Sequence, residues 1–405
     1  MRLLILLYIL VFSIMIFSST LWLIVYFVRN EEVYEVPRLE NLPSVTFLVP
    51  AYNEEEYIEK ALKSLLDLDY PDEKLDIIAI NDGSTDSTLE KMKKFEDRVE
   101  IIDKENTGKA DSMNQALERV DTEIVGCMDA DSYPEEDFLQ KIVGYFGDEE
   151  VKGVTPALKI RYTNNWVESI QWAEYIYQIF LRKMFAIFDA QYVLPGPGSL
   201  YRTDFLKDLG GWDTETLTED MEIAFRIFDE GGRIENSTNA YVHTEPPSTL
   251  KGLFRQRVRW YRGYIENFLD YSHLVGRKSY GNLGFFFMPF NVVWTGLVIF
   301  MSVNVIFNLL SAARGAVDAY LLTGTLAPAF EISILNLNFF HIFSVYFFLV
   351  GIATILISLN VSGEKVKPWK RKTHYVLFLA IYPVLYAMFW VAAALKHVKS
   401  GGKTW

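Results

Sequence analysis

From Leu3 to Val28 the chain carries no ionisable side chain except tyrosine, and a run of that length exceeds the roughly 20 apolar residues that cross a bilayer core. A cleaved signal peptide would have a shorter apolar stretch and small residues at its cut. Arg29-Asn30-Glu31-Glu32 comes next instead, so the run predicts a retained anchor. The other end of the chain repeats the pattern. Phe285 to Leu310, about Asn336 to Leu359 and about Tyr375 to Leu395 are each long and apolar enough to span. The stretch 312–335, which holds Asp318, Pro328 and Glu331, leaves an interfacial or re-entrant helix open.

One N-terminal and three C-terminal spans confine everything polar to the middle. The expected divisions are an anchor at 1–30, a polar domain over 40–245, an interface helix over 250–272 and a membrane region over 285–396. The loop from Glu364 to Lys372 holds Lys365, Lys367, Lys370, Arg371 and Lys372, and such clusters favour the cytoplasmic face. Counting back from it puts the polar middle inside and the N-terminus outside, in a multi-pass protein of the cell membrane. The basic tail from Lys396 to Lys403 then lies outside, against the rule. A net charge of -13 argues against a nucleic-acid partner, which would need a basic face. One cysteine, Cys127, excludes an intrachain disulfide and a multi-cysteine metal site.

Within the middle, short apolar runs alternate with helical periodicity. Val45 to Pro50, Leu75 to Ile80, Val99 to Ile102 and Ile124 to Met128 read as buried strands. Helices are expected from Ile58 to Leu66, Ser87 to Phe95 and Asp111 to Arg119. This alternation predicts an α/β fold with a parallel, doubly wound sheet. Its right-handed crossovers bring the C-terminal strand ends to one edge, where ligands of such sheets bind. Every polar cluster falls there. From Asn165 to Phe188 runs an aromatic-rich helix, read either as interfacial or as a core helix packed on the sheet. A second amphipathic segment runs from Leu250 to Leu269.

The strand ending in Asp129-Ala130-Asp131 places two carboxylates one residue apart at that edge. They would repel one another unless a divalent cation sat between them and an anionic ligand, and oxygen-only ligation suits Mg²⁺ or Mn²⁺. Asp82, after the second strand, is placed for a nucleobase or ribose, although Asp-Gly-Ser turns often satisfy their own backbone. Lys109 is placed for a diphosphate, or is an exposed helix-entry lysine. Thr218-Glu219-Asp220 precedes a helix. Asp220 is a candidate general base there, against a capping role for Thr218 or Asp220. Gln256, Arg259 and Trp260 share one helical face at i, i+3 and i+4. Amide, guanidinium and indole together can hold a diphosphate and stack on a sugar, or touch lipid head groups.

Pro50-Ala51-Tyr52-Asn53-Glu54-Glu55, Asn81-Asp82-Gly83-Ser84-Thr85-Asp86, Gly108-Lys109-Ala110, Asp129-Ala130-Asp131, Thr218-Glu219-Asp220 and Gln256-Arg257-Val258-Arg259-Trp260 occur in this order. The set resembles the membrane-bound processive family 2 glycosyltransferases, the cellulose, chitin, hyaluronan and poly-N-acetylglucosamine synthases. The resemblance implies a GT-A catalytic domain that uses a UDP-sugar, with a glycan or glycolipid acceptor and Mg²⁺ or Mn²⁺. By the same resemblance, Pro50, Ala51, Tyr52, Glu54 and Asp82 would hold the uridine. Asp129 and Asp131 would hold the ribose, diphosphate and metal, with Lys109 and Glu219 beside them, and Asp220 would be the base. Gln256, Arg259 and Trp260 would bind the diphosphate and the acceptor end. The segment from Pro195 to Arg202 resembles the family's Gly-rich acceptor segment.

The Thr-Glu-Asp form is similar to cellulose and poly-N-acetylglucosamine synthases, which makes N-acetylglucosamine the first expected sugar and glucose the second. The Phe-x-Val-Thr-x-Lys gate of cellulose synthases is absent, and Trp369 to Thr373 either replaces it or is a positive-inside cluster. Two other readings stand beside the polymerase. One is single transfer to a lipid or glycolipid; the other is an inactive membrane-anchored nucleotide-binding protein.

Overall fold

The computed structural model describes residues 2–324, 339–364 and 372–400. Its polar part is one eight-stranded sheet: β1 (Val45–Ala51), β2 (Leu75–Asp82), β3 (Glu100–Lys104), β4 (Ile124–Cys127), β5 (Ser132–Pro134), β6 (Val151–Ile160), β7 (Leu200–Arg202) and β8 (Arg233–Thr244). The order is β3-β2-β1-β4-β7-β6-β8-β5. The first four strands are parallel, the doubly wound half that the apolar runs predict. Beyond β4 the sheet is mixed, because β7 joins β4 and β6 antiparallel, and β5 joins β8 antiparallel.

Helices α1 (Arg2–Val28), α2 (Asn30–Tyr34), α3 (Ile58–Leu66), α4 (Thr88–Met92), α5 (Lys109–Leu117), α6 (Trp166–Ile187), α7 (Thr203–Asp208), α8 (Glu219–Asp229), α9 (Leu250–Asp270), α10 (Met288–Thr323), α11 (Phe339–Val361) and α12 (Lys372–Lys399) complete the described chain. Ile58, Leu62 and Leu65 form the buried face of α3, and each such side chain contributes about 1.5–3 kcal/mol by leaving water. The helix expected from Ser87 to Phe95 is instead α4 continued by a 3₁₀ turn from Lys93 to Phe95.

Three described helical segments are long and apolar enough to cross a membrane: Tyr8–Val28, Leu283–Thr323 and His374–Lys399, with the shorter apolar Val345–Val361 beside them. The span expected to end at Leu310 continues unbroken through α10 to Thr323. This corrects the start of the 312–335 reading, since no re-entrant break precedes Gly324; residues 325–338 lie outside the described ones. At 1.5 Å per residue, the 36 residues of α10 extend about 54 Å, beyond a hydrocarbon core. The exposed i, i+4 pair Arg314 and Asp318 falls on this overhang. The basic residues Lys365, Lys367, Lys370 and Arg371, and with them Trp369, lie outside the described residues.

Helix α6 meets the core-helix reading, being packed on the sheet. One face packs on β6 and β8 and the other on α11 and α12, with Trp172, Ile176 and Phe180 fully enclosed. The end of α1 reaches it through Trp22 against Phe185 and Phe188 and Tyr26 against Phe180. Asn165 caps it, its side chain accepting from the backbone of Val167 and Glu168, a contact worth about 1 kcal/mol. Tyr8 donates to Asn304 at 2.6 Å, which ties α1 to α10.

Candidate active site

The parallel strands end together, and the loops beyond them build the site. The turn after β1 is stitched to the loop after β2. Asn53 adopts a left-handed φ of 56°, its N–H donates to Ser84 Oγ and its Oδ1 accepts from Thr85 N. Glu54 N donates to Thr88 Oγ1. Tyr52 stays about half exposed and Ala51 is buried.

Asp82 is 4% exposed and its carboxylate is held by the chain itself. Lys104 Nζ and Thr107 N donate to Oδ1, and Gly108 N donates to Oδ2. Burial opposes its charge, but these donors prevail and hold it below the usual carboxylate range. The donors come from the loop after β3 and not from Asp82's own turn, where Ser84 N donates to Asn81 Oδ1 instead, so Asp82 orders the segment that delivers Lys109.

Lys109 opens α5 and is the electrostatic centre of the site. Its Nζ donates to Asp129 Oδ1 at 2.6 Å and stands 3.1 Å from Glu219 Oε1. Burial disfavours its charge, yet the two acids hold its pKa well above the ordinary value. Gly196 of the Pro195 to Arg202 segment passes directly over this pair. A Cβ there would lie 2.5 Å from Lys109 Nζ and 2.8 Å from Asp129 Oδ1, so a side chain at this position would have to displace the ends of that ion pair. That loop is fastened below by Gly198 N to the Cys127 carbonyl and beside by Leu194 N to the Asp220 carbonyl.

Strand β4 ends at Cys127, so Asp129 and Asp131 sit on the turn beyond it rather than on the strand. Glu54 joins them. Burial raises its pKa to about 7, reinforced by Asp131 and Asp129. Asp131 is likewise raised to about 6 by burial and by Asp129, and accepts from Ser132 Oγ at 3.0 Å. Such mutual repulsion, all on oxygen donors, suits a hard divalent cation. Among the described residues, no three His, Cys, Asp or Glu side chains form a site that could hold an ion unaided. Two carboxylates with the remaining positions left to water and ligand phosphates is the usual arrangement for Mg²⁺.

Glu219 and Asp220 occupy the first turn of α8. Thr218 is the N-cap residue, but its side chain makes no capping bond, so the capping reading is not what this threonine does. It is clamped by α9, where Asn267 Nδ2 donates to Thr218 Oγ1 at 3.1 Å and Gly263 lies against its side chain. Glu219, beside Lys109, keeps a lowered pKa despite burial. Asp220 takes the opposite course, pushed up to about 7 by burial and by Glu219 against the pull of Lys109 and Arg259. A partly enclosed carboxyl titrating near neutrality is suited to proton transfer.

On α9, Arg259 is exposed and acts on Glu219 and Asp220 through space. Gln256 and Trp260 are organised around Arg257, a residue that the sequence reading passed over. Its guanidinium is fully buried, donates to Gln256 Oε1 and both oxygens of Glu174, and stacks over the Trp260 ring. Glu174, Arg257, Gly263 and Asn267 were all missed. One signal existed: Val167, Ile170 and Glu174 follow i, i+3, i+7 and are all buried, which puts an acid on an apolar stripe. His243 pairs with Glu135 at 3.0 Å.

Three comparisons bear on this geometry. The model for "Glycosyltransferase like family 2" matches residues 43–263. A poly-beta-1,6-N-acetyl-D-glucosamine synthase of Staphylococcus aureus (strain COL) is 33% identical over 261 residues, covering 61% of this chain and 63% of that protein. The chain thus matches less than two thirds of that relative's length. The synthase of the same name from Staphylococcus epidermidis is 29% identical over 417 residues, covering 96% and 95%. Among solved structures, a mannosyltransferase, PcManGT from Pyrobaculum calidifontis, in complex with GDP-Man and Mn²⁺, aligns with a TM-score of 0.61 at 20% identity. It covers 96% of this chain and 99% of its own. At that identity the likeness establishes the fold, a GT-A-like mixed sheet with apolar helices.

Proposed function

This chain belongs to the glycosyltransferase-like family 2, and on that premise we propose that it transfers a sugar, with inversion, from a UDP-sugar to the hydroxyl end of a growing β-linked glycan. The observation that carries the reading is the line Asp129–Lys109–Glu219 with Asp220 next along α8. It sets a base near neutrality beside the groups that would receive a diphosphate. Asp220 takes the proton of the acceptor hydroxyl. That oxygen bonds to the anomeric carbon as the bond to UDP breaks on the opposite face, giving a β-linkage from an α-linked donor. Lys109 and Arg259, the cations that act on Glu219 and Asp220, would offset the charge that develops on the leaving group. Asp129 and Asp131 would hold Mg²⁺ or Mn²⁺, which when bound supplies further neutralisation of that charge.

N-acetylglucosamine is the sugar we assign first. Support comes from the names of relatives in two staphylococcal species and from the Thr218-Glu219-Asp220 form. Pro50 to Glu54 and Asp82 would flank the uridine, and Gln256 and Trp260 the acceptor. The polar domain over 40–245 and the helix over 250–272 would face the cytoplasm, beneath a membrane region over 285–396 and the anchor at 1–30.

The test is UDP release by purified protein across nucleotide sugars with Mg²⁺ or Mn²⁺, together with Asp220→Asn. General-base help is worth about 10² to 10⁴-fold, so that variant should lose activity on this scale while binding UDP nearly as wild type. Near-normal turnover by the variant would refute the base assignment. Sizing the radiolabelled product separates a polymer from a single discrete glycolipid.

A further inference from the structure

We infer that Glu174 and Arg257 are a positioning pair that sets the acceptor-side face of α9, fixing Trp260 and Gln256 toward the glycan. The inference rests on the transferase reading above. Both side chains are withdrawn from water, Arg257 at 0% and Glu174 at 3% exposure. Enclosing two charges in this way is a poor device for stability, since a well-packed apolar pair of the same size commonly does as well. What a two-pronged guanidinium–carboxylate contact adds is direction, because it fixes the plane of the guanidinium.

That plane is then used twice. Arg257 and Trp260 are i, i+3 neighbours on α9, and the guanidinium carbon lies 4.2 Å from the indole centroid. The same guanidinium donates to Gln256 Oε1. One enclosed cation therefore orients two of the three side chains of the predicted binding face, while Arg259, the third, stays free in water. The carboxylate is enclosed in turn, because Glu174 is 3% exposed and sits on α6, which packs on the sheet and on α11 and α12. Tyr175 and Tyr382 face the same pair. The donor side is built on other elements, from Lys109 of α5, Asp129 after β4 and Glu219 of α8, against the Gly196 loop.

The separation gives a test on the full-length protein in detergent. Arg257→Lys keeps the charge but loses the planar fork, and product length should fall about tenfold while KM for the nucleotide sugar stays within about twofold. Because that variant leaves Glu174 imperfectly paired and is at risk of not folding, Glu174→Gln/Arg257→Gln is the second arm. It retains an amide–amide contact without burying a charge, and should show wild-type thermal unfolding with the same shortened product. Wild-type product length in either folded variant would overturn the inference. So would a loss shared equally by donor KM and product length, which is the mark of a merely structural pair. If wild-type protein releases no UDP from any nucleotide sugar, the transferase reading falls and takes this inference with it. Wild-type turnover with unchanged variants removes the inference alone.

Discussion

Helix α9 meets the start of α8 at Gly263, and Gly263→Ala tests whether the spacing of these two helices is what makes the site work. A Cβ at this position would stand 2.2 Å from Thr218 Oγ1, 2.5 Å from its Cγ2 and 2.9 Å from its Cβ. Thr218 has nowhere to turn: it is 2% exposed, β-branched and therefore stiff, and its hydroxyl is held by Asn267. The backbones must part instead, by about 1 Å to restore ordinary contact. Two terms then oppose each other in stability. Overpacking costs about 1–3 kcal/mol, while replacing a mid-helix glycine by alanine returns about 1 kcal/mol. The net destabilisation is about 0–2 kcal/mol, a modest fall in melting temperature. Activity has no such compensation, since a 1 Å misplacement of catalytic groups costs about 10²-fold, and Glu219 and Asp220 follow Thr218 directly. UDP release with Mn²⁺ beside a thermal melt should therefore show a folded protein with about one hundredth of the wild-type rate. Thr218→Ala/Gly263→Ala removes the two closest atoms and should recover part of that loss. Activity within about threefold of wild type for Gly263→Ala alone would refute the reasoning, because a gap this tight would then be irrelevant to catalysis.

Further outcomes are expected from the charges and the topology. If Asp220 must be ionised to act, kcat/KM should fall as pH drops below about 7, tenfold per unit, and a profile flat from about pH 5.5 to 8 would count against it. Glu54 has a folded-state pKa raised to about 7 by burial and by Asp131 and Asp129. The folded protein therefore holds a proton that the unfolded chain releases, and this stabilisation is present at low pH and lost as pH rises toward 7. Removing the charge with Glu54→Gln should then stabilise the metal-free protein by about 1–2 kcal/mol more at pH 8 than at pH 5, after allowance for solvent screening; equal melting shifts at both pH values would contradict it. Cys127 is the single cysteine and is buried, so it should resist an impermeant maleimide. Asp97→Cys, at an exposed position, should react only after cells are opened if the polar domain is cytoplasmic.

The half of the fold that could be read in advance is the half whose strands are continuous apolar runs. Residues 45–51 of β1 are all buried, and such a run announces a central parallel strand on its own. β8 does not announce itself. Its Asn236, Ser237 and Thr238 are fully enclosed polar residues that donate to Thr155, the Lys141 carbonyl and the Val33 carbonyl, partners remote in sequence. The site divides in the same way. The acids at strand ends were legible because right-handed crossovers have only one edge to deliver them to. Which acid meets which cation was not, since Lys109 reaches Asp129 and Glu219 across three elements. The two arginines of the Gln256 to Trp260 motif make the point within a single turn. Spacing along a helix places Arg259 with Gln256 and Trp260, and only the neighbouring helix tells that Arg257 is the one turned inward.

Helix α6 packs against the sheet on one side and against the apolar helices α11 and α12 on the other. A domain slung from the membrane on a loose tether is indifferent to the bilayer; one that shares a structural beam with it is not. A change of tilt in α11 or α12 would bear directly on the beam that carries Glu174, because both pack against it. With α11 and α12 embedded in a bilayer, lipid thickness and lateral pressure would become inputs to the geometry of the chemistry, and the bilayer would act as part of the catalyst's scaffold.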